Sequence, residues 1–484
     1  MNKSVSVTQL DILRSHMSFT LPLGYDNRRT DELMQTLIKN GYTYFQLGES
    51  SRDKRVYGEG ITVEGKELEQ YFLPHLGHKL FPAAISENGF HRFTNTIVER
   101  FEYNVGNTSL PFIIQSVDIV LAPFGIAFLT IRVQLDNVEA ELSDVLGFLH
   151  HFRTIEPKLT EEKGMVISSP TNGNHLTIHD LLFEHLFPFL KNFMLQNEKL
   201  NGYFGSLPYY EDERMYASAF LFSREGSLIT EDQLYRMGAL DGRLPNGEKF
   251  ISANNPDYIR RSLDQSLHDR WAPNMYTVIT EHAFITVTNS PPEDVFRQLS
   301  QFMGTHHYNF LLHYFYKIML LRVSFEYSEI VWKKDDEYVK SLIKFITLFS
   351  SWYYFQEIST RSEGKELSKM FQRVFNIDEL FNDVSKTLQE LYKSQENNAS
   401  DRMNMLLLFL TIFTVISGIY GMNLVIQDWE SPSGWKAISS YTVFEWISFV
   451  TALSGIGLSL YLVFTTFGKV LKNKLRHRKS NSRL

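Results

Sequence analysis

The chain has 484 residues, more than one ordinary domain contains, and this leaves ample length for a large hydrophobic core. Its 48 lysines and arginines are outnumbered by 55 aspartates and glutamates, and the formal net charge of -7 argues against a protein that coats nucleic acid. Because cysteine is absent, a disulfide framework, a thiolate metal site and a cysteine nucleophile are excluded.

The N-terminal sequence gives no sign of export. It lacks the apolar core of a signal peptide, so the long first part of the chain is expected to stay in the cytosol. The mean hydropathy of -0.20 averages a polar body with an apolar C-terminal tail. We therefore expect the polar body and the apolar C-terminal tail to form different kinds of structure.

Residues 1–290 have the pattern of an α/β domain. Three runs rich in β-branched and aromatic residues, at 98–103, 112–121 and 127–135, predict a strand meander that leads into a helix. A loop-like segment near residue 170 is a candidate break between two sub-lobes. The same order of strand, turn, strand and helix recurs later in the region, which leaves open a duplicated lobe or a chance likeness.

Candidate metal ligands in this region form weak patterns. His175 and His179 lie one helical turn apart, with Glu184 and His185 further on, a spacing that could bring imidazole and carboxylate to one cation. An ordinary, partly exposed helix explains the same pattern. No phosphate-binding loop, nucleophile elbow or dinucleotide fingerprint is present, so the sequence predicts no enzyme.

Short acidic runs offer a second kind of metal site. Asp335, Asp336 and Glu337, like the run at 211–213, could bind Mg2+ through carboxylate oxygens at a subunit boundary. A short acidic run is more often a solvated turn or the first turn of a helix.

Residues 291–402 are helical in pattern and end in a predicted stalk helix. Asn376 and Glu379 are placed to cap its N-terminus. Apolar residues then recur at alternating steps of four and three, which is the seam of a coiled coil. The residues of the seam are Ile377, Phe381, Val384, Leu388, Leu391 and Gln395.

Residues 403–484 predict two transmembrane helices, at 403–422 and 443–467, each with about the 20 apolar residues that a bilayer requires. The basic tail that follows places the C-terminus in the cytosol by the positive-inside rule, and two spans then place the N-terminus there too. The sequence therefore predicts a multi-pass protein of the cell (inner or plasma) membrane. Asp428 and Glu430 would lie in an outer acidic loop.

The run Tyr420-Gly421-Met422-Asn423, at the outer end of the first predicted span, resembles the signature of the CorA family of divalent-cation channels. The resemblance implies an α/β cytosolic domain, a long helical stalk and two C-terminal transmembrane helices, assembled as a homopentameric funnel. It implies passive influx of Mg2+, with Co2+ or Ni2+ as alternatives, through a selectivity ring of Gly421, Met422 and Asn423. The residues that it places along the pore are Asn397, Met403, Thr411, Thr414 and Tyr420.

Two functions follow from this resemblance. The first is a Mg2+ channel that cytosolic Mg2+ regulates, for which Asp335, Asp336 and Glu337 are a candidate site. The second is a CorA-like membrane effector of bacterial defence, of the kind that accompanies type III CRISPR systems, in which the body binds a nucleotide messenger. The unusual length of the body favours the second function, and the lack of a nucleotide-binding motif leaves it without a named site.

Overall fold

The computed structural model describes residues 7–47, 56–58, 60–106, 108–136, 139–158, 163–169, 173–175, 177–195, 205–211, 213–330 and 336–427, and isolated positions between 442 and 461. The chain forms two compact units, Met1–Leu388 and Gln389–Leu484. The first unit is an α/β domain with a large mixed sheet. The domain boundaries predicted at residues 290 and 402 stay predictions.

One sheet contains all twelve strands of the described residues. The strands are β1 (Asp11–Gly24), β2 (Thr43–Tyr44), β3 (His91–Val105), β4 (Thr108–Ala122), β5 (Ile126–Leu135), β6 (Ala140–Glu141), β7 (Met165–Ser169), β8 (Gly173–His175), β9 (Tyr216–Ser223), β10 (Leu267–His268), β11 (Met275–Ile279) and β12 (Ala283–Thr288). Their order is β10-β11-β12-β9-β1-β5-β4-β3-β7-β8, while β2 pairs with β3 and β6 with β1. Only β9 and β12 pair in parallel among the described strands.

Helices cover both faces of this sheet. They are α1 (Thr30–Lys39), α2 (Gly65–Tyr71), α3 (Pro74–Leu80), α4 (Leu142–Phe152), α5 (Ile178–Asp180), α6 (Glu231–Ala239), α7 (Pro256–Ser266), α8 (Pro292–Gln301), α9 (His307–Ser328), α10 (Asp336–Trp352), α11 (Ser362–Val374) and α12 (Ile377–Gln427). A π-helical segment, Leu181–Leu186, follows α5, and a second, Phe302–His306, joins α8 to α9.

The first face of the sheet is apolar. Phe19 on β1 and Phe112 on β4 point to this side and are fully buried, because alternate residues of a strand share a face. Helix α4 covers them with Phe148 and Phe152, whose ring centroids lie 5.3 and 5.7 Å from that of Phe112. The main hydrophobic core of the unit therefore lies between α4 and the sheet.

The second face of the sheet carries polar as well as apolar side chains, and it is also buried. Thr20 on β1 and Thr130 on β5 bring their hydroxyl oxygens within 3.1 Å of each other. Helix α9 covers this face: Phe310 stacks on Tyr216 with 4.5 Å between the ring centroids. Almost every side chain in the first half of α9 is buried, which is typical of a helix surrounded by protein. Charged and phenolic groups are thereby held in the interior between α9 and the sheet.

The predicted seam of the stalk begins inside the first unit. Ile377 and Val384 are buried, and Phe381 stacks on Tyr354 with 4.2 Å between the ring centroids and 8° between the ring planes. The first turns of α12 therefore pack on aromatic residues of the same chain.

The prediction of two C-terminal transmembrane helices is wrong. Within the part of the chain that the structure describes, no helix is long and apolar enough to cross a membrane. Helix α12 begins with the polar and charged stretch 377–402, so it is not apolar along its length. The predicted stalk with two spans in a CorA-like funnel, and the multi-pass location in the cell membrane, are wrong for the same reason.

Candidate anion-binding site

Basic and aromatic side chains gather at one end of the sheet. The parallel strands β9 and β12 both begin at this end, where Tyr216 is the first residue of β9 and His282 precedes β12. Arg153 directly follows α4, and Lys317 lies near the middle of α9. Chain segments far apart in sequence thus meet here. We call Arg153, Lys317, Tyr216 and His282, with the tyrosines beside them, the Arg153–Lys317 site.

The guanidinium of Arg153 is held in place but not neutralised. Its Nε donates to the carbonyl of Met215 at 3.1 Å, and the Met215 N–H donates to the Arg153 carbonyl at 2.8 Å. Only 7% of Arg153 is exposed, yet it forms no ion pair with any residue that the structure describes. Burial, followed by the charge of Arg214, lowers the pKa of Arg153. Its terminal nitrogens are therefore available to an anion.

Lys317 is a second cation, and no carboxylate of the described residues contacts it. The residue is half-buried, and its Nζ lies 5.2 Å from the ring centroid of Phe375 and 5.7 Å from that of Tyr210. Aromatic rings attract a cation through their negative faces but do not cancel its charge. Burial lowers the pKa of Lys317, while Glu281 and Glu211 act in the opposite direction.

Tyrosine rings line the site beside these two cations. Tyr314 lies between Tyr210 and Tyr216, with ring centroids 5.8 and 5.6 Å away. The hydroxyl of Tyr216 donates to the carbonyl of Thr280 at 2.9 Å. Tyr210 is half-buried, and burial raises its pKa to about 12, so it stays neutral at physiological pH. It is the tyrosine of this group with the most ring surface left for a ligand.

Arg153 and Lys317 bring two positive charges to the site and the nearby Glu281 brings one negative charge, so the described charges leave the site positive. Arg214 is paired with Glu211 at 3.2 Å, so these two charges offset each other. Partial burial and, to a smaller extent, the charge of Arg153 lower the pKa of His282 to about 4, so this ring is neutral near pH 7. A guanidinium presents a fork of donors that matches phosphate or carboxylate oxygens, and an ammonium adds a point charge. The arrangement suits an anion.

The residues predicted to form an ion pathway lie on α12. The backbone of Tyr420-Gly421-Met422-Asn423 is helical, but its side chains are outside the described set, as are Asp428 and Glu430. Asn397 is exposed and Met403 is 58% exposed. The roles assigned to these residues stay predictions.

Thr411 and Thr414, also assigned to the pore, are exposed on α12. Their hydroxyls each donate at 2.7 Å to a backbone carbonyl one turn earlier, of Leu407 and Leu410. This bond is the usual way in which a helical threonine satisfies its hydroxyl. It leaves the oxygen lone pairs available, so the predicted role is not tested by this contact.

The candidate metal ligands lie only partly within the described residues, and their role stays a prediction. Glu337 is exposed in α10, the side chain of Asp336 is not described, and Asp335 lies outside the described residues. His185 instead contacts Glu99, with 3.2 Å between Nε2 and Oε2, and Glu184 pairs with Lys191. Over the described ranges, no group of three or more histidine, aspartate or glutamate side chains could hold a metal ion.

Sequence reasoning missed the Arg153–Lys317 site because no local pattern marks it. Arg153 follows an amphipathic helix, and Lys317 is a single charge in an apolar run that predicts burial. That one charge in such a run was the signal that could have been used, since a buried lysine needs a reason. No family model matches the chain, and no curated protein or solved structure is significantly similar to it.

Proposed function

We propose that the first unit is a binding domain for a small phosphate-bearing ligand of the nucleotide class, held at the Arg153–Lys317 site. The observation that carries the proposal is the pair of cations, one almost fully buried and one half-buried, that no described carboxylate contacts. Buried charges in proteins are paired as a rule, because taking an isolated charge out of water is costly. A bound phosphate would supply the missing negative charge.

The surroundings of the two cations favour a nucleotide over a bare phosphate ion. The ring of half-buried Tyr210 lies next to Lys317, and His282, whose ring is exposed and neutral near pH 7, precedes β12 at the same end of the sheet. Bases stack on aromatic rings with a gain of about 1–3 kcal/mol per base. A nucleotide could place its phosphate on Arg153 and Lys317 and stack its base on one of these rings, so it would use both the cations and the aromatic surface.

This proposal develops the nucleotide messenger predicted as a partner of the enlarged body. It assigns the first unit to ligand binding, because Arg153 and Lys317 supply positive charge and the neighbouring aromatic groups supply ring surface and hydrogen-bond donors. Transport of Mg2+ through Gly421, Met422 and Asn423 stays a prediction. The connection to a defence system likewise stays a prediction.

Nucleotide binding by the full chain tests the proposal. Pyrophosphate, AMP, ATP and a dinucleotide are titrated by calorimetry, with thermal stability measured in parallel. We expect Arg153→Met and Lys317→Met each to lower the affinity for the tightest-binding ligand about 10- to 100-fold, since a hydrogen bond to a charged group contributes roughly 1.5–3 kcal/mol. Arg260→Met is the control, because it removes an exposed cation paired with Glu231 elsewhere on the unit.

Two results would contradict the proposal. If neither pyrophosphate nor any nucleotide binds or raises the melting temperature, the first unit is not a domain of this kind. If a nucleotide binds but both site variants retain its affinity while folding normally, the ligand lies elsewhere.

The affinity should also depend on pH. Because the pKa of Lys317 is lowered, this group loses its proton at a lower pH than a free lysine, whose pKa is about 10.4. An anion binds the protonated form better, so we expect the dissociation constant to rise as the pH passes the lowered pKa of Lys317, below the range in which a free lysine titrates. In Lys317→Met this rise should be lost, whereas Arg260→Met should retain it. An identical pH profile in wild type and Lys317→Met would show that Lys317 does not contact the ligand.

A further inference from the structure

A second group of charges is enclosed between α9 and the middle of the sheet. Asp118 on β4 lies 2.9 Å from Nη2 of Arg92 on β3 and 2.6 Å from Nη1 of Arg132 on β5. The hydroxyl of Thr94 donates to Asp118 at 2.7 Å. Each of these four residues is at most 5% exposed. Two full positive charges thus share one carboxylate in the interior, and we call these residues the Asp118 cluster.

Aromatic residues close this cluster. Nη1 of Arg92 donates to the hydroxyls of Tyr57 and Tyr308 at 2.7 and 2.8 Å. The ring of Tyr57 also lies 4.8 Å from Cζ of Arg132. These contacts satisfy some donors of Arg92 but bring no negative charge, since burial raises the pKa of Tyr308 and keeps its phenol neutral.

Several guanidinium donors in the cluster remain unused. Among the described residues, Nε and Nη2 of Arg132 and Nε of Arg92 are buried without a hydrogen-bond partner. Leaving a buried donor unsatisfied is unfavourable, and more so for a charged group. His307 cannot offset the excess positive charge, and burial followed by Arg132 lowers its pKa to about 3, so it is neutral. Counted over the described residues, the cluster therefore lacks one negative charge and several acceptors.

We propose that the Asp118 cluster binds one small monovalent inorganic anion of the halide class beside Arg132. A single negative charge balances the two arginines against Asp118, and a spherical anion can accept from donors that point in different directions. The enclosure by Tyr57, Tyr308 and His307 favours a small ion over a nucleotide or a phosphate. This site is separate from the Arg153–Lys317 site and does not depend on its function.

Chloride dependence of the stability of the full chain tests this inference. Melting temperatures are compared in sodium chloride and in sodium gluconate at equal ionic strength, with no nucleotide present. A ligand that binds only the folded state stabilises it, so we expect a saturable rise of about 2 °C in chloride. Arg132→Met should lose this rise, and Arg260→Met should retain it.

Bromide in crystals of the wild-type protein gives a second test that needs no variant. We expect an anomalous peak within hydrogen-bonding distance of Nε of Arg132. Equal melting temperatures in the two salts, as a buried water in place of the anion would produce, would overturn the inference. A chloride effect that persists in Arg132→Met, or bromide peaks that all lie away from Arg132, would overturn it as well.

Discussion

Asp118→Asn should lower the free energy of unfolding by about 3–5 kcal/mol, the cost of breaking a buried ion pair by removing one partner. The substitution keeps the shape of the side chain but removes the only carboxylate that contacts Arg92 and Arg132 among the described residues. Two buried guanidinium groups then repel each other without a carboxylate between them. Urea unfolding followed by far-UV circular dichroism, at fixed chloride concentration, measures the loss.

Asp144→Asn is the matched control for this prediction. Asp144 pairs with Arg243 at 2.6 Å, but both side chains are partly exposed, and Arg243 retains a second partner in Glu141 at 2.6 Å. We expect a loss of about 1 kcal/mol or less, as is usual for pairs in contact with water. Similar losses for Asp118→Asn and Asp144→Asn would show that the interior of the Asp118 cluster is not as dry as its burial indicates.

The free energy of unfolding at acid pH depends on the carboxylate of Asp118. Burial alone would raise the pKa of Asp118, but Arg132 and Arg92 together lower it below the ordinary value. For a lowered carboxyl pKa, the stabilising contribution is present above the unfolded-state value near about 3.9 and is lost as the pH falls through the folded-state value. As the pH falls through this range, the free energy of unfolding of Asp118→Asn should therefore decrease less than that of the wild-type protein.

The sequence was informative where local pattern decides structure. The β-branched and aromatic runs at 98–103, 112–121 and 127–135 lie within β3, β4 and β5, because a strand with a buried face needs such residues wherever it pairs. The sequence did not show that the opposite face of these strands is buried too. Thr130 and Arg132 alternate with apolar residues as in a strand with a solvated face, and only the position of α9 makes them interior.

Contacts between distant segments explain why the candidate site was not foreseen. Arg153 directly follows α4 and Lys317 lies in α9. Their meeting depends on how these two helices pack on opposite sides of the sheet at the end where β9 and β12 begin. The prediction of function instead rested on Tyr420-Gly421-Met422-Asn423, a contiguous run that sequence reasoning can recognise. A site built from side chains far apart in the chain leaves no such run.

Gly242→Ala should destabilise the first unit by about 1–3 kcal/mol, as overpacking of an interior usually does. A Cβ at residue 242 would lie 2.6 Å from the backbone nitrogen and 2.7 Å from the Cα of Gly147 in α4. Neither contact is with a flexible side chain, so the clash is relieved only if α4 moves relative to the loop. That movement would disturb Phe148, which packs on the main core next to Gly147.

The same substitution at the other glycine of this contact, Gly147→Ala, separates the clash from any general effect of removing a glycine. A Cβ at residue 147 meets nothing within 4 Å, and alanine is favoured over glycine in a helix by about 1 kcal/mol. We expect Gly147→Ala to be neutral or stabilising while Gly242→Ala is destabilising, both measured by urea unfolding. If both variants lose stability equally, the close approach of α4 to residue 242 is not the cause. Because α4 also ends at Arg153, a displaced helix in Gly242→Ala should weaken the nucleotide affinity as well, whereas Gly147→Ala should leave it unchanged.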